Sequence, residues 1–158
     1  MCDRHRGEIG MEDRFPEAAV RHWLDGKMLH QAHRYDNAMC HYAFSAECAI
    51  KAFRNQLLQA YTGKDGKRTH EVEPFWEALT EYYELMGILN PKLSLLIGIG
   101  APPPRLFQDH PDRRYYNDIN YTASDLAECE EFVTRLIQQV ISAVIDGKLE
   151  CVSEGGSL

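Results

Sequence analysis

The chain has 158 residues, 44% of them hydrophobic and 26% charged, which suits one ordinary domain with a single core. No run approaches the roughly 20 consecutive apolar residues of a membrane span, and the opening Met1-Cys2-Asp3-Arg4-His5-Arg6 lacks the apolar segment of a secretory leader; a cytoplasmic protein is expected, with no membrane partner. A formal net charge of −7 excludes a surface devoted to gripping long nucleic acid, because neutralising phosphates takes clustered Lys and Arg.

Residues 1–15 are charged and without periodicity, and read as a loose lead-in. From Pro16, Ala19, Val20, Trp23, Leu24 and Met28 recur at helical spacing up to His33, interrupted by Gly26. A second, longer helix is expected over residues 35–61, with an apolar stripe through Ala38, Tyr42, Ser45, Ala46, Ala49, Phe53 and Leu57. Its small residues admit a close helical neighbour, and that surface is a natural place for a second copy of the chain. After a polar, basic stretch at residues 64–68, a third helix runs through Phe75, Leu79, Tyr82 and Met86 to Asn90-Pro91. A short apolar helix is then expected over residues 92–99.

Residues 100–121 hold four prolines and one of the chain's two basic patches, the run from Arg105 to Arg114 with its three arginines and His110, without any repeat. A loop of that length in a compact domain points to function. Thr122-Ala123-Ser124-Asp125 is a capping signal for a last helix over residues 124–147, with Leu126, Cys129, Val133, Leu136, Ile137, Val140 and Val144 facing inward. Residues 148–158 read as a mobile tail. Nothing alternates with period two, so the expected architecture is all-α, an up-and-down antiparallel bundle of four to five helices within residues 16–147.

The five cysteines, Cys2, Cys40, Cys48, Cys129 and Cys151, form no C-x-x-C pair and read as reduced thiols, mostly small apolar residues on helices. His22, His30, His33 and His41 lack carboxylates at obvious ligand spacing, so they read as a partly exposed helix face. Neither a metal nor a cofactor is expected.

Four segments resemble the HEPN family. His33-Arg34-Tyr35-Asp36-Asn37-Ala38, continuing through Ala43-Phe44-Ser45-Ala46-Glu47-Cys48-Ala49-Ile50-Lys51-Ala52, looks like that family's first long core helix, with its E-x-x-x-K pair at Glu47 and Lys51. Thr69-His70-Glu71, Arg114-Tyr115 and Tyr121 to Leu126 are similar to the entries of its later helices. The resemblance implies a helical bundle that forms a homodimer in bacterial and archaeal toxin–antitoxin or defence modules, often beside a nucleotidyltransferase or an antitoxin. Some members are metal-independent ribonucleases that use an R-x4–6-H motif at the start of the last helix; others bind nucleotides or partners.

Metal-free RNA cleavage needs a base near neutral pH and a permanent cation on the phosphate. Here the motif matches literally at Arg105/His110 and at Arg34/His41, although with seven histidines in the chain chance supplies such matches. At the family's usual position the chain reads Arg113-Arg114-Tyr115-Tyr116-Asn117-Asp118, with no histidine, and an ordinary carboxylate titrates near ~4. The expected site is therefore a nucleotide- or RNA-binding set of Glu47, Lys51, Arg113, Arg114, Tyr115 and Tyr121. The alternative is an endoribonuclease with His110 as base and Arg105 as clamp, and a third reading is a non-catalytic subunit that pairs with a nucleotidyltransferase. The Glu47/Lys51 pair fits either an exposed i,i+4 pair or a device orienting the loop arginines.

Overall fold

The computed structural model describes residues 14–62, 70, 72–91, 95–96, 98–117 and 120–149, with the backbone alone described for 56–62 and 73–75. The expected lead-in up to residue 13, the basic stretch 64–68 and the tail from residue 150 lie outside the described residues. Four α-helices form among the described residues: α1 (Phe15–Gln31), α2 (Tyr35–Thr62), α3 (Glu73–Leu89) and α4 (Ala123–Ile145), with a 3₁₀ turn at Asp112–Tyr115 before α4. There is no strand among the described residues. The fold is an all-α bundle, and none of its described helices is long and apolar enough to cross a membrane.

The turn between α1 and α2 is tight because α1 closes on a left-handed residue. His33 has φ 58°, and the backbone N–H groups of His33 and Arg34 return to the carbonyls of His30 and Leu29 at 3.0 and 2.9 Å, the double bond of a Schellman ending. The two helices then lie antiparallel and close. Ala38, Ala43, Ala46 and Ala49 are fully buried, and Ser45 Oγ donates to the Ala19 carbonyl at 2.7 Å. Gly26, which weakens the helix on propensity alone, is needed here: a Cβ on it would stand 2.7 Å from the Tyr42 ring. The small-residue surface of α2 thus receives α1 of the same chain, and the expectation that it offers itself to a second copy is corrected.

α4 begins on the expected cap. Thr122 Oγ1 accepts from the Asp125 N–H at 3.1 Å while Asp125 Oδ2 accepts from the Thr122 N–H at 2.9 Å, which satisfies two orphan donors of the first turn. Leu126, Val133, Leu136 and Ile137 on its inner face are fully buried. α4 runs antiparallel to α1, since Trp23 Nε1 donates to Thr134 Oγ1 at 3.0 Å and His30 Nδ1 meets Glu130 at 2.5 Å. It ends on Gly147 at φ 71°, with Lys148 N–H returning to the Ala143 carbonyl at 2.7 Å. Leu149 is buried, so the chain stays packed two residues into the expected tail.

α3 leans on this three-helix core through Trp76 and Tyr83. Trp76 stacks edge-on against Phe132 with ring centroids 5.5 Å apart, and the Tyr83 hydroxyl donates to the Phe53 carbonyl at 3.0 Å. The short helix expected over residues 92–99 is not seen where the chain is described: Leu95, Leu96 and Ile99 are buried in non-helical backbone. Leu96 at φ 60°, Gly98 at 74° and Gly100 at 77° take left-handed conformations that a right-handed helix cannot contain.

Candidate functional site

The helical spacing of α2 puts Phe44, Glu47 and Lys51 along one face. Glu47 is 3% exposed, unlike the exposed i,i+4 pair that is one reading of the sequence. Its carboxylate accepts from Lys51 Nζ at 2.5 Å, from His110 Nε2 at 2.6 Å and from His70 Nδ1 at 3.0 Å. Burial pushes its pKa up, but the hydrogen bonds from His110, Lys51 and His70 outweigh that and hold it at about 2. Glu47 is therefore a fixed anion that gathers three elements: its own helix, the entry to α3 and the long loop. It orients histidines, whereas the family resemblance implies arginines.

The expected catalytic pair is divided. His110 has a side chain only 2% exposed; its Nε2 is committed to Glu47, and its Nδ1 is buried without a hydrogen-bond partner among the described residues. Arg105 turns the other way. Its Nη1 donates to Asp125 at 3.2 Å, and its guanidinium lies 4.8 Å from the centre of the Tyr121 ring. The pair does not converge on one reacting atom within this chain.

The arginines and tyrosines of the expected binding set, Arg113, Arg114, Tyr115 and Tyr121, divide as well. Arg113 is 2% exposed. Its guanidinium donates to the carbonyls of Arg105 at 2.9 Å and Leu106, to the more distant Met39 carbonyl at 3.4 Å, and to the hydroxyl of buried Tyr121 at 3.2 Å. Five donors in a rigid fork suit such a task, and they leave Arg113 no face for a ligand: it pins the loop onto α2. Arg114 and Tyr115 point outward. Arg114 lies 4.9 Å from the centre of the Tyr115 ring and 5.8 Å from that of Phe44, and Tyr115 is 72% exposed.

Phe44 is the hub of this face. His110, His70 and His22 lie around its ring at centroid distances of 4.7, 6.4 and 5.5 Å. His22 leads to a second cluster that sequence reasoning missed. Its Nδ1 is 3.2 Å from Nδ1 of His41, and His41 Nδ1 is 4.0 Å from Asp25. Burial, then His41 and Arg21, lower the pKa of His22. The overlooked signal was His22-x-x-Asp25, one turn apart on α1, facing His41 across an antiparallel hairpin.

Among the described residues, Cys40, Cys48 and Cys129 form no disulfide. Burial raises the thiol pKa of Cys129 to about 12 and also raises that of Cys40, so these are packing residues in their thiol form rather than nucleophiles.

No family model, no curated protein and no solved structure matches this chain. The site must therefore be read from its own chemistry.

Proposed function

We propose that the protein is a HEPN-like module that binds a nucleotide or a short single-stranded RNA on the face around Phe44, Arg114 and Tyr115, within a toxin–antitoxin or defence system. The observation that carries this reading is the pairing of Arg114 with a largely exposed tyrosine ring beside Phe44. A guanidinium holds phosphate oxygens and an exposed aromatic ring stacks a base. The acidic remainder of the chain restricts the ligand to something short.

The test is binding of a fluorescent nucleotide or short RNA by Arg114→Ala. Removing one charge-assisted hydrogen-bonding group is expected to weaken binding roughly tenfold to a hundredfold. The salt dependence should flatten, its logarithmic slope shrinking by about 0.7 for each phosphate no longer neutralised. Tyr115→Ala should weaken binding through weaker stacking. Replacing Arg113 along with Arg114 would also disturb the fold, because Arg113 pins the loop onto α2. Unchanged affinity in Arg114→Ala would sink the reading and leave the partner-binding one, pairing with a nucleotidyltransferase or antitoxin.

One observation favours a second, catalytic reading. His70 is half exposed at 52%, and Glu47 accepts from its Nδ1, which leaves Nε2 as the basic nitrogen of a neutral ring. A carboxylate orienting a histidine in this way is the arrangement of a general base. In an endoribonuclease the base is then His70, with Arg114 on the phosphate and His110 as a buried positioning residue. RNA cleavage in EDTA that His70→Ala abolishes would establish it.

The homodimer that the resemblance implies needs a face other than the small-residue stripe. Exposed Leu24 on α1 and Ile141 and Ile145 on α4 line one groove with Val20 and Val140 and are its natural contact.

A further inference from the structure

We propose that His22, Asp25 and His41 form a binding site for a single divalent transition-metal ion of the zinc class, bridging α1 and α2. The donor atoms come from three side chains: Nδ1 of His22, a carboxylate oxygen of Asp25 and Nδ1 of His41, all within 4.8 Å of one another. A tetrahedral ion with bonds of about 2.0–2.1 Å sets its donors roughly 3.3–3.4 Å apart. The two imidazole nitrogens already stand at 3.2 Å. Asp25 is at 4.0 Å from His41, and its side chain is 48% exposed, so a small rotation closes the remaining gap without disturbing the core.

The backbone fixes this constellation. His22 and Asp25 share one face of α1 because they are three residues apart. His41 reaches them because the hairpin is held close by Gly26, Ala38 and Ser45. The stack of His22 on Phe44, with ring centroids 5.5 Å apart and planes 29° from parallel, holds one ligand ring. Two imidazoles and one carboxylate are borderline to hard donors that suit zinc and its neighbours, and three protein ligands leave a position open to water or another ligand.

A second set of donor atoms, from Glu47, His70 and His110, also lies within 4.8 Å of one another but is filled from within. Lys51 Nζ sits 2.5 Å from Glu47 Oε1 and brings its own positive charge to the position an ion would take. Both histidines donate protons to the same carboxylate. An ion entering there must displace a lysine and strip two hydrogen bonds, whereas at His22, Asp25 and His41 it displaces one.

The experiment uses the full chain stripped with EDTA, titrated calorimetrically with Zn²⁺ alone, with Co²⁺ as a spectroscopic probe. One Zn²⁺ per chain is expected, together with a cobalt spectrum that shows nitrogen and oxygen ligands and no thiolate charge-transfer band. His22→Ala and His41→Ala should each weaken binding at least tenfold, Asp25→Asn should weaken it less, and His70→Ala should leave it unchanged. Zn²⁺ should also raise the melting temperature of the parent chain, by mass action, and lose that effect in His22→Ala. The altered side chains are part-exposed, so circular dichroism should show each variant folded. Absence of stoichiometric binding, undiminished binding in the His22→Ala/His41→Ala double variant, loss of binding in His70→Ala, or a thiolate band would each overturn the proposal.

Discussion

Glu47 shows why a residue type and its neighbour in sequence do not reveal a role. Four residues apart on a helix, Glu and Lys usually form a solvated pair worth ~0.2–0.5 kcal/mol. Here both are buried, and the carboxylate also receives two histidines from distant parts of the chain. A carboxyl held at about 2 against an ordinary 4.5 contributes stability that is fully present above pH 4.5 and is lost as the pH falls from there to about 2. Melting temperatures of the parent chain should therefore drop steeply across that acid range. Glu47→Gln should start lower at neutral pH, because Lys51 is left buried without its anion at a cost of about 3–5 kcal/mol, and should change little on acidification. Parallel curves for the two proteins would show that Glu47 is not the group responsible. Arg113 teaches the same lesson. In sequence it is indistinguishable from Arg114, yet one guanidinium satisfies carbonyls in the interior and the other faces solvent, because the 3₁₀ turn sends consecutive side chains in different directions.

The helices were legible because their apolar spacing and end signals agreed. The Thr122 cap, the breaks at Asn90-Pro91 and the inward stripe of Leu126, Val133, Leu136 and Ile137 appear in the structure where the residues placed them. The segment after Pro91 misleads for a physical reason: a short apolar run looks the same whether it buries as helix or as irregular backbone, and the left-handed turns at Leu96, Gly98 and Gly100 decided it. Gly26 reads in sequence as a weakness of α1, since only the packed hairpin shows that Tyr42 occupies the space of its missing side chain. Gly26→Ala, which in an exposed helix gains up to about 1 kcal/mol, should here cost about 1–3 kcal/mol through overpacking. Thermal or urea unfolding checks the sign, and a stabilised variant would mean that Tyr42 moves aside freely.

At the scale of the whole molecule, the all-α class and its long helices follow from periodicity, whereas the functional face does not. That face is assembled from α1, α2, the entry to α3 and the long loop, and no local pattern announces which of seven histidines will meet around Phe44. The loop stands out in sequence by its length and prolines, but the division of its charges between core and surface depends on how it docks. A hairpin turning at His33 does set residues equidistant from the turn opposite each other, and this pairs Asp25 with His41 and His22 with Phe44; that much was readable once the turn was known. If the exposed Arg114–Tyr115 edge of this face holds a nucleotide or short RNA, as proposed, an NMR titration of the folded chain with a short oligoribonucleotide should reveal it. Saturable shifts are expected at Phe44, His70, Arg114 and Tyr115, with the Leu24–Ile145 groove unmoved. Shifts confined to that groove, or none at millimolar ligand, would rule out the Arg114–Tyr115 edge as the binding site.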